Sequence, residues 1–199
     1  MKSKTKNERI IKKLKALNLT KKYLLAESAL AVFEIIFGLL SSCLAMTILG
    51  LYSIVGVYCV ASMEIFPKTK LADLGYLALA LVSALMAWTS VYSVHLTIGY
   101  AKDAVDFWGL IPPIIVFFVK ASLSMLLSDD EEIAEKSVLF AEIIDYKYDF
   151  LLIVSTVVAI FLTFVFDFYI EYIVALGIAL CCIRKIFVTA KIRKSVAKN

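Results

Sequence analysis

Little in this sequence can build loops. Its 199 residues include three prolines and seven glycines, and no Ser/Gly-rich linker interrupts them, so the chain reads as one domain. Charge is scarce as well. Charged residues make up 19% and hydrophobic residues 62%, against about 25% charged and about 45–50% apolar in ordinary soluble domains. A water-soluble fold of this size has no place to hide so much apolar surface, and lipid is the solvent that fits. Histidine occurs once, as His95, and the four cysteines (Cys43, Cys59, Cys181, Cys182) all lie in apolar stretches without C-x-x-C or Cys/His spacing. A zinc site of the usual kind is excluded by that spacing, and the cysteines read as small packing residues. There is no Ser/His/Asp set, no His-Glu-x-x-His and no phosphate-binding glycine loop, so the chain does not read as an enzyme.

What is present is a series of long apolar blocks. A transmembrane β-barrel would alternate apolar and polar residues in segments of roughly ten, whereas these blocks run to about twenty or more, the length of a helix crossing about 30 Å of hydrocarbon. The expected architecture is an all-α integral membrane protein with six transmembrane helices, near Tyr23–Ser41, Leu44–Phe66, Leu71–Ile98, Phe107–Leu127, Ser137–Val165 and Phe168–Val188. Only Ser41, Ser42 and Cys43 separate the first two, which forces a tight turn there. Residues 1–22 form a basic N-terminal arm, 23–190 the membrane domain and 191–199 a short basic tail. The arm leads into a full-length span rather than a short apolar region with a cleavage site, so it does not read as a cleavable signal.

Basic residues set the orientation. Nine Lys or Arg precede the first span, Lys68, Lys70 and Lys136 follow the second and fourth, and Arg184, Lys185, Lys191, Arg193, Lys194 and Lys198 stand at the C-terminal end. The opposite loops hold Lys102 alone. The positive-inside rule puts both termini in the cytoplasm of a multi-pass protein of the cell membrane. The arm has no aromatic residue for base stacking and stands directly before a span, so lipid headgroups rather than nucleic acid are its expected partner.

Ionisable residues inside a span are expensive and mark a pathway or a partner. The fifth span carries the densest set: Glu142, Asp145, Lys147 and Asp149. Asp145 and Asp149 lie one turn apart on one face, Glu142 extends that stripe, and Lys147 stands about 200° round the helix from Asp145. Two carboxylates that close repel, a divalent cation relieves the repulsion, and its departure invites a proton back. The alternative is that lysine neutralises them in a packed interior. Glu27 and Glu34 share a face of the first span; Glu27 is expected near the headgroups, and Glu34 at mid-membrane with Lys120 as its partner. Asp73 and Asp167 are expected to stay hydrated at span ends, His95 to sit at an interface, and Tyr148 to hydrogen-bond a carboxylate beside it. Ser128–Glu132 (SDDEE) reads as a solvated turn that caps the next helix.

These motifs, in this order, resemble the cation diffusion facilitators. That family carries Ala-Asp-Ala-x-His-x-x-x-Asp in its fifth helix, where this chain has Ala141-Glu142-Ile143-Ile144-Asp145 and then Asp149. Val105-Asp106-Phe107-Trp108-Gly109-Leu110 is similar to the opening of the family's fourth helix, and Gly38-Leu39-Leu40-Ser41-Ser42-Cys43-Leu44-Ala45 to its Gly-Leu-Leu-Ser-Gly-Ser-Leu-Ala stretch. Glu171-Tyr172 stands before Gly177-Ile178-Ala179-Leu180 at the spacing of the family's sixth helix. The likeness spans residues 20 to 195. It implies the family's six-helix membrane domain and transport of a divalent metal cation by alternating access, in exchange for protons. The departures are as informative. Tyr52 and Gly56 stand where the family has a His- or Asp-x-x-x-Asp pair, Leu49 stands at another common Asp, and Pro67-Lys68-Thr69-Lys70 takes the place of a Gly-His-Gly-type loop. The cytoplasmic domain that helps family dimers associate is not in this sequence, so a homodimer would rest on membrane helices. The resemblance therefore implies a reduced metal site of Asp145 and Asp149, with Tyr52, Ser53 and Glu142 as accessory groups. Oxygen ligands without His or Cys suit Mn2+ or Fe2+ better than Zn2+, and no resident cofactor is expected. The alternative function is a non-transporting membrane subunit that kept the fold and acts through a membrane protein partner.

Overall fold

An apolar run in lipid must satisfy its own backbone hydrogen bonds, and a helix does so within one segment. The computed structural model describes residues 2–64, 70–97, 110–128, 146–166 and 170–196. The regular elements there are helices: α1 (Lys2–Leu40), α2 (Leu44–Glu64), α3 (Lys70–Thr97), α4 (Ile111–Ser128), α5 (Tyr146–Phe166) and α6 (Ile170–Val196). Five contain stretches long and apolar enough to cross a membrane, namely Lys21–Leu40, Leu44–Met63, Lys70–His95, Tyr148–Phe166 and Ile170–Ser195. The apolar stretch of α4, Ile111–Leu123, is shorter, and residues 98–109 before it lie outside the described ones. Pro112 and Pro113 open α4 in its first turn, where a missing N–H breaks no helical bond. α1 starts at Lys2, so the basic arm runs into the first span without a break; at about 1.5 Å per residue its length is about twice the hydrocarbon thickness.

Apolar residues cover the outside of the bundle. On α3, Leu74, Leu77, Leu81, Leu85, Trp88 and Tyr92 follow one another at helical spacing, and all are exposed. Leu151, Val154, Val158, Phe161 and Val165 make a similar exposed stripe on α5. Such stripes suit acyl chains, which are as apolar as leucine. α2 is the central helix: 72% of its apolar stretch is buried inside the protein, against 11% for α3.

The turn between α1 and α2 forms at Ser41–Cys43, where the sequence requires it. Cys43 N–H donates to Gly38 C=O (2.8 Å) and Ser42 N–H to Leu39 C=O (3.3 Å), the Schellman pattern of a helix C-terminus. Ser42 sits in the left-handed region with φ 52°. The helices close on each other at Gly38, where a Cβ would come within 2.5 Å of Thr47 N and 2.9 Å of its Cα.

Polar contacts tie both ends of the bundle. At the turn end, the buried Glu171 of α6 accepts from Leu44 N–H (2.5 Å) and Ala45 N–H (3.3 Å), the unsatisfied donors that open α2. At the other end, Arg193 of α6 reaches Asp73 of α3 at 2.5 Å and lies 5.7 Å from the Tyr76 ring centre. Ser62 hydrogen-bonds Tyr76, and Tyr58 donates to Ala72 C=O at 2.9 Å. Asp73 is half exposed, as a span-end residue should be, yet ion-paired rather than simply hydrated. These contacts make α2 and α6 parallel and α3 and α6 antiparallel. Residues 2 and 196 therefore lie at the same end. His95 is exposed in the last turn of α3.

Ser42→Gly removes the left-handed strain and should raise stability by up to about 1 kcal/mol. Gly38→Ala should lower it by about 1–3 kcal/mol through overpacking. Melting of the two purified variants in detergent reads opposite signs from one hairpin.

Candidate functional site

Helical spacing decides which interior charges meet. Glu27 and Glu34, seven residues apart, turn the same face of α1 towards α4 and α2. Both are buried inside the protein: Glu27 is 3% and Glu34 0% exposed. Lys120 of α4, itself 1% exposed, makes its shortest ion pair with Glu27 at 2.7 Å. It donates to Ser53 Oγ of α2 at 2.9 Å, and Ser53 passes the contact on by donating to Glu34 Oε2 at 2.7 Å. Lys120 is 3.9 Å from Glu34 Oε1. The expected pairing of Lys120 with Glu34 is thus present but indirect, and Glu27, buried within the bundle, takes the direct contact. An isolated carboxylate at that depth would be too costly, so it is drawn to the ammonium.

The second group lies between α2, α5 and α6. Asp149, in the first turn of α5, is 5% exposed. Its Oδ1 is 3.9 Å from Lys185 Nζ of α6, beyond hydrogen-bond reach, and accepts no hydrogen bond among the described residues. Lys185 Nζ lies 4.3 Å from the centre of the Tyr52 ring, a cation–π contact. A Cβ on Gly56, one turn further along α2, would stand 3.3 Å from that Nζ. The Tyr52 side chain also interacts with the Asp149 carboxylate.

The fate of each candidate is therefore specific. Asp149 and Tyr52 come together across α2 and α5. Ser53 is buried but belongs to the Glu34–Lys120 group. Asp145 and Glu142 lie outside the described residues, as do Asp106, Asp167 and residues 129–132. Tyr148 is 50% exposed and turned outwards; the phenol beside Asp149 is Tyr52. The residue that sequence reasoning missed is Lys185, counted there as a topology signal. Its position was the available clue: Leu180-Cys181-Cys182-Ile183 precede it and Ile186-Phe187-Val188 follow, with Arg184 its only charged neighbour in that run. None of the four cysteines forms a disulfide, and three are buried.

Glu27, Glu34 and Asp149 supply three carboxylates against the two ammoniums of Lys120 and Lys185, which leaves one negative charge when all are ionised. Two oxygens of that set, Glu34 Oε1 and Asp149 Oδ1, accept no hydrogen bond among the described residues. Such a cluster can take up one further positive charge, as a proton or as a cation. Among the described residues no three His, Cys, Asp or Glu side chains gather as a ready metal site. No family profile, characterised protein or solved structure matches this chain.

Lys120→Met leaves Glu27 and Glu34 without their ammonium and should destabilise the protein by about 3–5 kcal/mol. Lys185→Met should be milder, because that ion pair is longer and its lysine side chain is 14% exposed against 2% for Lys120. Denaturant unfolding in mixed micelles, followed by near-UV circular dichroism, ranks the two.

Proposed function

We propose that this chain is a six-span protein of the cell membrane that transports a divalent cation such as Mn2+, Fe2+ or Zn2+ in exchange for protons. In this reading both termini are cytoplasmic, α4 completes the sixth span with residues before Ile111, and the domain is of the cation diffusion facilitator type. The single observation that carries the reading is Asp149: a buried carboxylate in the first turn of a span, facing another helix, with one oxygen that no donor among the described residues reaches. A group this expensive to bury is kept where charge has to enter the membrane domain. Asp145, one turn earlier on the same face of the sequence, supplies the second ligand, and Glu142 leads towards the cytoplasm. Tyr52 adds a hydroxyl from α2. Ser53 serves the site at a distance, by holding Glu34 in the neighbouring network. Alternation between cation and proton follows from electrostatics, because clustered carboxylates hold one or the other and disfavour the absence of both.

A second reading is favoured by Lys120, whose direct contacts with Glu27 and Ser53 resemble a static tie more than a transit site. In that case the chain is a non-transporting subunit that recognises a membrane protein partner, and the charges serve to hold helices together.

Flux of Mn2+ into proteoliposomes under an imposed pH gradient separates them. The transport reading expects proton-driven uptake, reduced at least about tenfold by Asp149→Asn, since loss of a ligand exceeds the effect of losing a group behind it. Absence of uptake of Mn2+, Fe2+ and Zn2+ by folded protein would sink that reading and leave the subunit role.

A further inference from the structure

Lys185 is placed as a cation would be. Its Nζ has an aromatic face at 4.3 Å, from Tyr52, and a carboxylate oxygen at 3.9 Å, from Asp149. The side-chain-free Gly56 borders the same space, where an added Cβ would stand 3.3 Å from Nζ. We propose that Lys185 is a tethered cation that occupies the ion-binding position at Asp149 and must be displaced for an ion to bind there. The inference rests on the transport function proposed above and names how its site is kept closed.

Three features make Lys185 displaceable where Lys120 is not. Lys120 is held by contacts of 2.7 Å to Glu27 and 2.9 Å to Ser53, whereas the carboxylate of Asp149 stands 3.9 Å from Lys185 and that oxygen accepts no hydrogen bond among the described residues. Lys120 is sealed in the interior, whereas the side chain of Lys185 is 14% exposed. Finally, α6 continues for eleven residues beyond Lys185 to Val196, towards the end of the bundle where Arg193 pairs with Asp73. A four-carbon stem can swing its ammonium out of the space between Tyr52 and Asp149 towards that end, by way of the part of the side chain that is already exposed.

The charges around the site fix the consequence. Facing Asp149 are Lys185 from α6 and Tyr52 from α2, with Lys120 of α4 and Glu34 of α1 acting from further away. With Lys185 in place, an arriving cation meets an ammonium of like charge in a low-dielectric interior, and the two do not share one carboxylate. With Lys185 withdrawn, the carboxylate is exposed to the ion. Entry of the cation and exit of the lysine are then one event, and a site without its ion is not left as a bare buried charge.

The test uses the full chain in nanodiscs and Mn2+ alone as probe. Free Mn2+ is measured by its paramagnetic resonance signal, and acylation of each lysine is read by mass spectrometry with and without saturating Mn2+. Lys185→Met should bind Mn2+ at least about tenfold more tightly than the unaltered protein, because a like charge has been removed from the site. In the unaltered protein, Mn2+ should raise acylation of Lys185 and leave Lys120 unlabelled. Equal or weaker binding by Lys185→Met, or acylation of Lys185 that ignores Mn2+, would overturn the tethered-cation proposal; if Asp149→Asn still abolished binding, the ion site itself would stand. Absence of Mn2+ binding in both the unaltered protein and Lys185→Met would overturn the transport reading for this ion, and this proposal with it.

Discussion

The ammonium of Lys120 is the point on which the interior depends. It lies in the middle of α4, 1% exposed, and joins α1 through Glu27 and α2 through Ser53. Helices in lipid gain nothing from hiding apolar faces from each other, so packing and polar contacts must hold them together. Here one charge binds three helices. Without it two carboxylates would be stranded in the interior, and with it Glu34 is brought to bear on the space between α1 and α2. A lysine suits this place because its compact ammonium can turn three donors towards partners on different helices.

The central helix explains why these charges collect where they do. α2 packs against α1 through the Ser41–Cys43 turn and Gly38, and is capped by Glu171 of α6. That arrangement presents Tyr52 and Ser53, adjacent in sequence, to different neighbours: Tyr52 to α5 and α6, Ser53 to α1 and α4. Two ionic groups thereby meet one helix at adjacent residues.

Much of this was legible in the sequence. Length and composition point to six spans; five of the described helices are long and apolar enough to cross a membrane, and Ile111–Leu123 falls short. The scarcity of residues between Leu40 and Leu44 identifies the hairpin turn. The burial of Glu34 followed from its position in mid-span. Partner choice was less legible, because it depends on helix rotation and depth. Glu27 stands six residues into the first apolar stretch, close enough to its end to read as a headgroup-level residue, and its burial against Lys120 is not legible from that position. Lys185 was read as a topology charge because basic residues cluster at the C-terminal end, and only its position on α6, against Gly56 and Tyr52, turns it inwards. Tyr148 is adjacent to Asp149 in sequence, but neighbours on a helix point about 100° apart, and it faces outwards.

The tie between Lys120 and Glu27 is the contact to measure first. A double-mutant cycle of Glu27→Gln and Lys120→Met, with unfolding free energies taken in the same mixed micelles, isolates their coupling from the cost of each change alone. An ammonium that holds α1 to α4 predicts a coupling of about 1–3 kcal/mol. Additivity within about 0.3–0.5 kcal/mol would contradict it and mean that the charges share the interior without holding it together.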